Sequence, residues 1–156
     1  MGADAAVAEL ASQERTSQAE LRRQAAYFAA LEGLGDVLAA VPNPVLILNE
    51  HRQIVYANQA MAEIVGVDDG ALLIGLRPGE ALACVHALAH RGGCGTSEFC
   101  MQCGAAQAIG AAQTGEAALR ECRVMRDAEE SPAALDLEVR TQPYTVAGEP
   151  FTIFTM

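Results

Sequence analysis

VPNPVLILNEHRQIVYANQAMAEIVGV, residues Val41 to Val67, is the stretch whose reading decides the fold. Pro42 and Pro44 end any preceding helix, because proline lacks an amide proton and its ring crowds the turn before it. Val45 to Asn49 (VLILN) is a β-branched-rich run, Glu50 to Gln53 a polar turn, and Ile54 to Asn58 (IVYAN) a second such run. Two runs of this kind around a short polar turn predict a β-hairpin. After Asn58 the period changes. Ala60, Met61, Ile64 and Val65 fit one face of a short helix, with Asn58 as its N-cap and Gly66 as its stop.

Toward the C-terminus, Asp68 to Leu82 contains LIGLRPGEAL, a connecting segment with a short helical turn. Ala105 to Gly115 reads as an alanine-rich helix closed by Gly115. From Ala117 to Arg126, the residues Ala118, Cys122 and Val124 share one parity, which predicts a third strand with these side chains turned inward. DAEESP closes at Pro132 as an acidic turn. Leu135, Leu137 and Val139 then alternate with Asp136, Glu138 and Arg140 in a fourth strand with one solvated face. Ala147-Gly148-Glu149 turns the chain into PFTIFTM, a fifth strand.

Toward the N-terminus, residues 3–40 contain no proline and are rich in Ala, Glu, Gln, Leu and Arg, all good helix formers. Leu21, Ala25, Phe28, Leu31 and Leu38 form one apolar stripe at helical spacing. The stripe can pack on its own domain or on a twin. A homodimer through this helix is the preferred expectation. The organisation expected is a helix over 1–36, for dimerisation or signalling, and a domain over 37–156.

Val41 to Val67 resembles the opening of a PAS sensor domain, a hairpin whose second strand ends in an asparagine that starts a short helix closed by glycine. Asn58 and Gly66 stand at those positions, and the later elements follow in the family's order. The resemblance implies an α+β fold: a five-stranded antiparallel sheet with short helices on one face, preceded by the amphipathic N-terminal helix. It also implies a sensory role, with an output domain such as a kinase on the same longer chain or on a partner.

Composition narrows the functions. A net charge of −10 and a pI near 4.6 exclude nucleic acid as the expected partner, since phosphate binding needs clustered Lys and Arg. No apolar run approaches the roughly 18 residues of a membrane span. Met1 is followed by GADAAVAELASQ, with no basic region and no long apolar run, so the expected location is cytoplasmic. There is no G-x-S-x-G, P-loop or Rossmann fingerprint, and Asp68, Asp69, Glu129 and Glu130 read as solvated turn carboxylates. No catalytic constellation stands out, and an enzyme is not expected.

Chemistry concentrates in CVHALAHRGGCGTSEFCMQC, Cys84 to Cys103, with four cysteines spaced C-x9-C-x5-C-x2-C and Cys122 as a fifth. Soft thiolates at these spacings suit an iron–sulfur cluster or zinc. Gly92, Gly93, Gly95 and Gly104 supply the freedom to bend a chain around a compact inorganic group. Buried apolar cysteines are the ordinary alternative, but those are scattered at core spacing rather than packed between glycines. A disulfide framework conflicts with the odd count and the expected reducing location.

RPGEALACVHA, GGCGTSEFC, CGAAQAI and ECRV together are similar to a subset of PAS domains in bacterial sensor proteins that carry a cysteine-rich insert. That resemblance implies a bound iron–sulfur cluster, with 4Fe–4S preferred over 2Fe–2S and zinc as the alternative. The best-known oxygen-responsive relatives use two C-x2-C pairs where this chain has one, so the ligands are argued from its own residues. A cluster needs about four thiolates. Cys94, Cys100 and Cys103 share one glycine-rich loop. The fourth is Cys84, which closes the shorter loop, or Cys122 from the sheet side, and Cys84 is preferred. His86 is read as a residue beside the site rather than a ligand, and His90 as a solvated loop residue. A metal-free redox switch through Cys100 and Cys103 is a further alternative.

Overall fold

The structure, a computed structural model, describes residues 10–127 and 133–156. Residues 3–9 of the expected leader helix lie outside the described residues, as do Glu129, Glu130 and Pro132 of the acidic turn. The helices are α1 (Gln18–Ala30), α2 (Leu34–Ala39), α3 (Gln59–Val65), α4 (Pro78–Ala81), α5 (Val85–Ala89) and α6 (Gly104–Gln113). The strands are β1 (Val45–Leu48), β2 (Ile54–Ala57), β3 (Ala118–Met125), β4 (Ala134–Val146) and β5 (Glu149–Thr155). They form one antiparallel sheet in the order β2-β1-β5-β4-β3.

The hairpin–helix unit forms as the sequence predicts. Asn58 caps α3 by accepting from Met61 N at 3.1 Å, and the same oxygen accepts from Val45 N at 2.9 Å. Its amide donates to Leu38 O and Asn43 O, so one buried side chain ties β1, α3 and the α2–β1 connection together. Gly66 closes the helix in the left-handed region, where a Cβ would be strained. Between β4 and β5, Ala147 and Gly148 both have positive φ, the requirement of a two-residue turn whose twist matches the strands.

Two cores flank the sheet. On one side Leu46, Leu48, Phe154, Val139, Cys122 and Val124 pack under α3 and α6 with Met61 and Ile109. On the other, Ile47, Val55 and Phe151 pack under α1 with Leu21 and Phe28. All four residues of β1 are buried, which is why VLIL is a continuous apolar run and not an alternating one. In β3 only Cys122 and Val124 are buried while Glu121, Arg123 and Met125 point to solvent, as parity predicts.

The expected amphipathic N-terminal helix is present as α1, and it begins later than residue 3 of the proline-free span. Ser17 caps α1 by accepting from Glu20 N, and residues 10–17 are not helical. Residues 11–16 form a strap along the domain, with Ala11 N donating to Gly95 O and with Ser12 O and Glu14 O accepting from Arg52 and Arg77. Gly33, with φ +78, separates α1 from α2. The apolar stripe of α1 is covered by the chain's own sheet, with Phe28 stacked edge-on against Phe151 at 5.0 Å. Among the described residues no helix is long and apolar enough to cross a membrane.

Candidate functional site

The cysteine stretch folds between the ends of α4, α6 and β3. Ala83, with φ +58, reverses the chain after α4, and Cys84 N then donates to Gly79 O at 2.8 Å. Cys84 also bridges to Arg126 just beyond β3, which fixes the start of α5 against the sheet. Gly93 and Gly95 take left-handed φ around Cys94. A 3₁₀ turn over Glu98–Gln102 carries Cys100, and Cys103 precedes the first residue of α6.

Glycines here are set by close approach. A Cβ on Gly79 would lie 2.8 Å from the Cys94 sulfur, and one on Gly93 would lie 2.0 Å from a Glu80 oxygen. Either would push the loop off its bed.

The outcome is convergence. One cavity of ≈ 160 Å³ is lined by Cys84, Cys94, Cys100, Cys103 and Cys122, together with His86, over an otherwise apolar floor. The first four thiols are half-buried and Cys122 is buried. Burial pushes the Cys94 thiol up to about 12, because an apolar surround disfavours the thiolate. Cys103 and Cys122 sit 3.6 Å apart, sulfur to sulfur. The hydrogen bond from Cys122 pulls Cys103 below the ordinary thiol range and holds Cys122 above it, so Cys103 ionises first. Ala105 and Ala106 N–H groups add to this by pointing at the Cys103 sulfur from the start of α6.

Cys100 does not pair with Cys103. Its sulfur meets Ser97 Oγ at 3.4 Å. The contact between thiols therefore joins Cys103 to Cys122, and not the C-x2-C pair. His86 lines the cavity and stacks on Phe99 with centroids 4.5 Å apart. His90 is more than a solvated residue: its Nδ1 accepts from Gly92 N at 3.2 Å and so shapes the loop.

Beneath the loop lies a polar frame. Arg77 has 0 % exposure and donates to His51 O, Gly92 O, Ser12 O and Glu14 O. Arg52 donates to Ser12 O and Cys94 O. Glu80 accepts from Arg77 N at 3.0 Å and Cys94 N at 3.4 Å, and pairs with Arg15. Burial raises the Glu80 carboxyl, but the hydrogen bonds from Arg15, Arg77 and Cys94 outweigh it and hold the group below its ordinary range. Burial also lowers Arg77 to about 10.

Arg52 is buried, and its Nε has no hydrogen-bond partner among the described residues. Arg52, Cys94 and Cys100 line one further cavity. An unpartnered cationic edge beside soft thiols is the donor chemistry that a thiolate-held, anionic cluster fits. Among the described residues no three histidines, cysteines or carboxylates converge on one point as a single ion requires.

A family model described as PAS domain matches residues 30–99. The chain is also similar to the PAS domain of nitrogen regulation protein NR(II) from Vibrio parahaemolyticus, at 18% identity and TM-score 0.51, over 78% of this chain and 94% of that one. It is similar to the PAS domain of an HTR-like protein from Haloarcula marismortui, at 15% identity and TM-score 0.53, over 86% and 95%. This is the PAS fold. A PAS domain from a two-component sensor histidine kinase aligns over 88% of this chain and 96% of its own, at 13% identity and TM-score 0.50. No curated protein matches the sequence. Within the PAS fold Cys84, Cys94, Cys100 and Cys103 occupy the segment between α4 and β3, and Cys122 lies in β3, on the helical face of the sheet.

Sequence reasoning placed Glu80 and Glu98 beside the cysteine loop, where they bear on its electrostatics, but missed Arg52 and Arg77, which complete the frame with Glu80. An RPGE segment next to a cysteine loop was the available signal for its centre: proline at the first helical position and glutamate three residues after arginine mark a helix start.

Proposed function

We propose that this chain is a sensory module of a signal-transduction protein, in which a PAS domain holds an iron–sulfur cluster through Cys84, Cys94, Cys100 and Cys103. The observation that carries the reading is the convergence of thiols from three separate elements on one cavity, beside the unpartnered edge of Arg52. Cys84 is preferred to Cys122 as the fourth ligand because it heads the same loop as the other three and lines the same cavity, so closure costs less chain entropy. The assembly proposed is 4Fe–4S. When bound, it supplies a redox couple set by charge and by hydrogen bonds to its sulfurs.

The chain's own residues carry the response. Cys94 N is held by Glu80, Glu80 by Arg15, and Arg15 lies two residues before the cap of α1. A displacement at Cys94 is thereby passed to α1, and α1 rests on Phe151 of the central sheet. The neighbouring PAS structure from a two-component sensor histidine kinase supports an input role, with output on the same longer chain or a partner. Dimerisation through the N-terminal helices would use their outer faces, where Tyr27 and Val37 are exposed. The module turns over no substrate and works in the cytoplasm.

The test is a visible spectrum of anaerobically purified protein, with iron and acid-labile sulfide counted on the same sample. The expected result is a broad visible band with about four irons per chain. Cys84→Ala, Cys94→Ala and Cys100→Ala are expected to lose the band, while Cys122→Ala keeps it. Colourless protein carrying zinc, or no metal at all after anaerobic reconstitution, sinks the reading.

A further inference from the structure

We propose that Cys103 and Cys122 form an oxidation site, in which a hydroperoxide oxidises Cys103 and Cys122 resolves the product as an intramolecular disulfide. The inference concerns the metal-free chain and does not rest on the cluster reading. The two sulfurs lie 3.6 Å apart. A disulfide requires about 2.05 Å, so they need to close by about 1.5 Å.

The proximity is built into the packing of α6 on β3. A Cβ at Gly104 would lie 1.9 Å from Glu121 O, so α6 begins in backbone contact with the strand. Cys103 is the chain neighbour of Gly104, and Cys122 of Glu121. Only glycine permits this approach, and the approach brings the thiols together. Both side chains face the same cavity. Cys103 is half-buried while Cys122 is 7% exposed, which gives the first attack to Cys103 and the second to Cys122.

The chemistry balances in two steps. The Cys103 sulfur attacks one peroxide oxygen, the O–O bond breaks, and the departing oxygen leaves as water or an alcohol with the thiol proton. Cys103 is then a sulfenic acid, oxidised by two electrons while the peroxide is reduced by two. The Cys122 sulfur attacks the Cys103 sulfur, the S–O bond breaks, and the hydroxyl leaves as water with the Cys122 proton. Two thiols and one hydroperoxide thus give one disulfide, one water, and one water or alcohol.

The experiment treats the full, chelator-stripped and reduced chain with hydrogen peroxide, and reads it by intact mass and non-reducing tryptic mapping. Cleavage after Arg91, Arg120 and Arg123 puts Cys103 in the peptide 92–120 and Cys122 in 121–123. The expected result is loss of two hydrogens per chain, with these two peptides joined. Cys100→Ser retains the crosslink. Cys122→Ser loses it and leaves a sulfenic acid on Cys103 that dimedone traps. Gly104→Ala, which forces α6 away from β3, slows crosslinking. A two-hydrogen loss within peptide 92–120, as a Cys100–Cys103 disulfide would give, overturns the proposal, as do thiols that stay reduced under excess peroxide. Iron plays no part in the readout, so failure of the cluster assay and failure of this one are separate results.

Discussion

Glu80 is the residue on which the cysteine loop hangs, since it accepts from Arg77 N and Cys94 N and pairs with Arg15. Its carboxyl is held below the ordinary value of 4.5. A lowered carboxyl stabilises the fold fully above that value, and the contribution is lost as pH falls through the folded-state value. The thermal stability of the metal-free chain is therefore expected to fall below about pH 4.5. Glu80→Gln should flatten that part of the profile and cost about 1.5–3 kcal/mol at neutral pH, the range for hydrogen bonds to a charged group. At this scale the gathering of Cys84, Cys94, Cys100 and Cys103 on one cavity was legible, because four cysteines within twenty residues and between glycines fold back on one another. Arg77 was not, because a fully buried arginine is rare and its satisfaction by four carbonyls depends on segments distant in sequence.

Elements read well where local chemistry sets their ends. Asn58 and Gly66 bound α3 as expected, since a side-chain cap and a left-handed glycine act within one turn. Asn58→Ala should cost at least about 2 kcal/mol, the cap itself plus the donors and carbonyls left unpaired in the core. Chemical denaturation with unchanged m-value checks it. The leader helix read poorly in its first half. Residues 10–17 have helix-forming composition, yet Ser12 O and Glu14 O accept from Arg52 and Arg77 instead of from amides of their own segment. Tertiary hydrogen bonds outweigh propensities worth only tenths of a kcal/mol per residue. The meeting of Cys103 and Cys122 was equally hidden, since the Gly104–Glu121 contact that causes it joins α6 to a strand well beyond it in sequence.

For the whole molecule, the sheet is covered on both faces, and α1 completes the second core rather than standing apart. Phe28→Ala should therefore destabilise the entire domain by about 3–5 kcal/mol, with a single cooperative transition moved to lower temperature in calorimetry. A change confined to the N-terminal segment would contradict that. The apolar stripe of α1 was legible as a stripe, but a stripe does not say which surface it meets, and Ile47, Val55 and Phe151 meet it here. The strap of residues 11–16 bears on how the loop opens. Ala11 N bonds to Gly95 O, and Arg52, Arg77 and Glu80 hold the rest of the segment beside the cysteine loop. Freeing the cysteine loop from its bed means breaking these contacts, so hydrogen exchange at the Ala11 and Cys94 amides should report one shared opening of strap and loop.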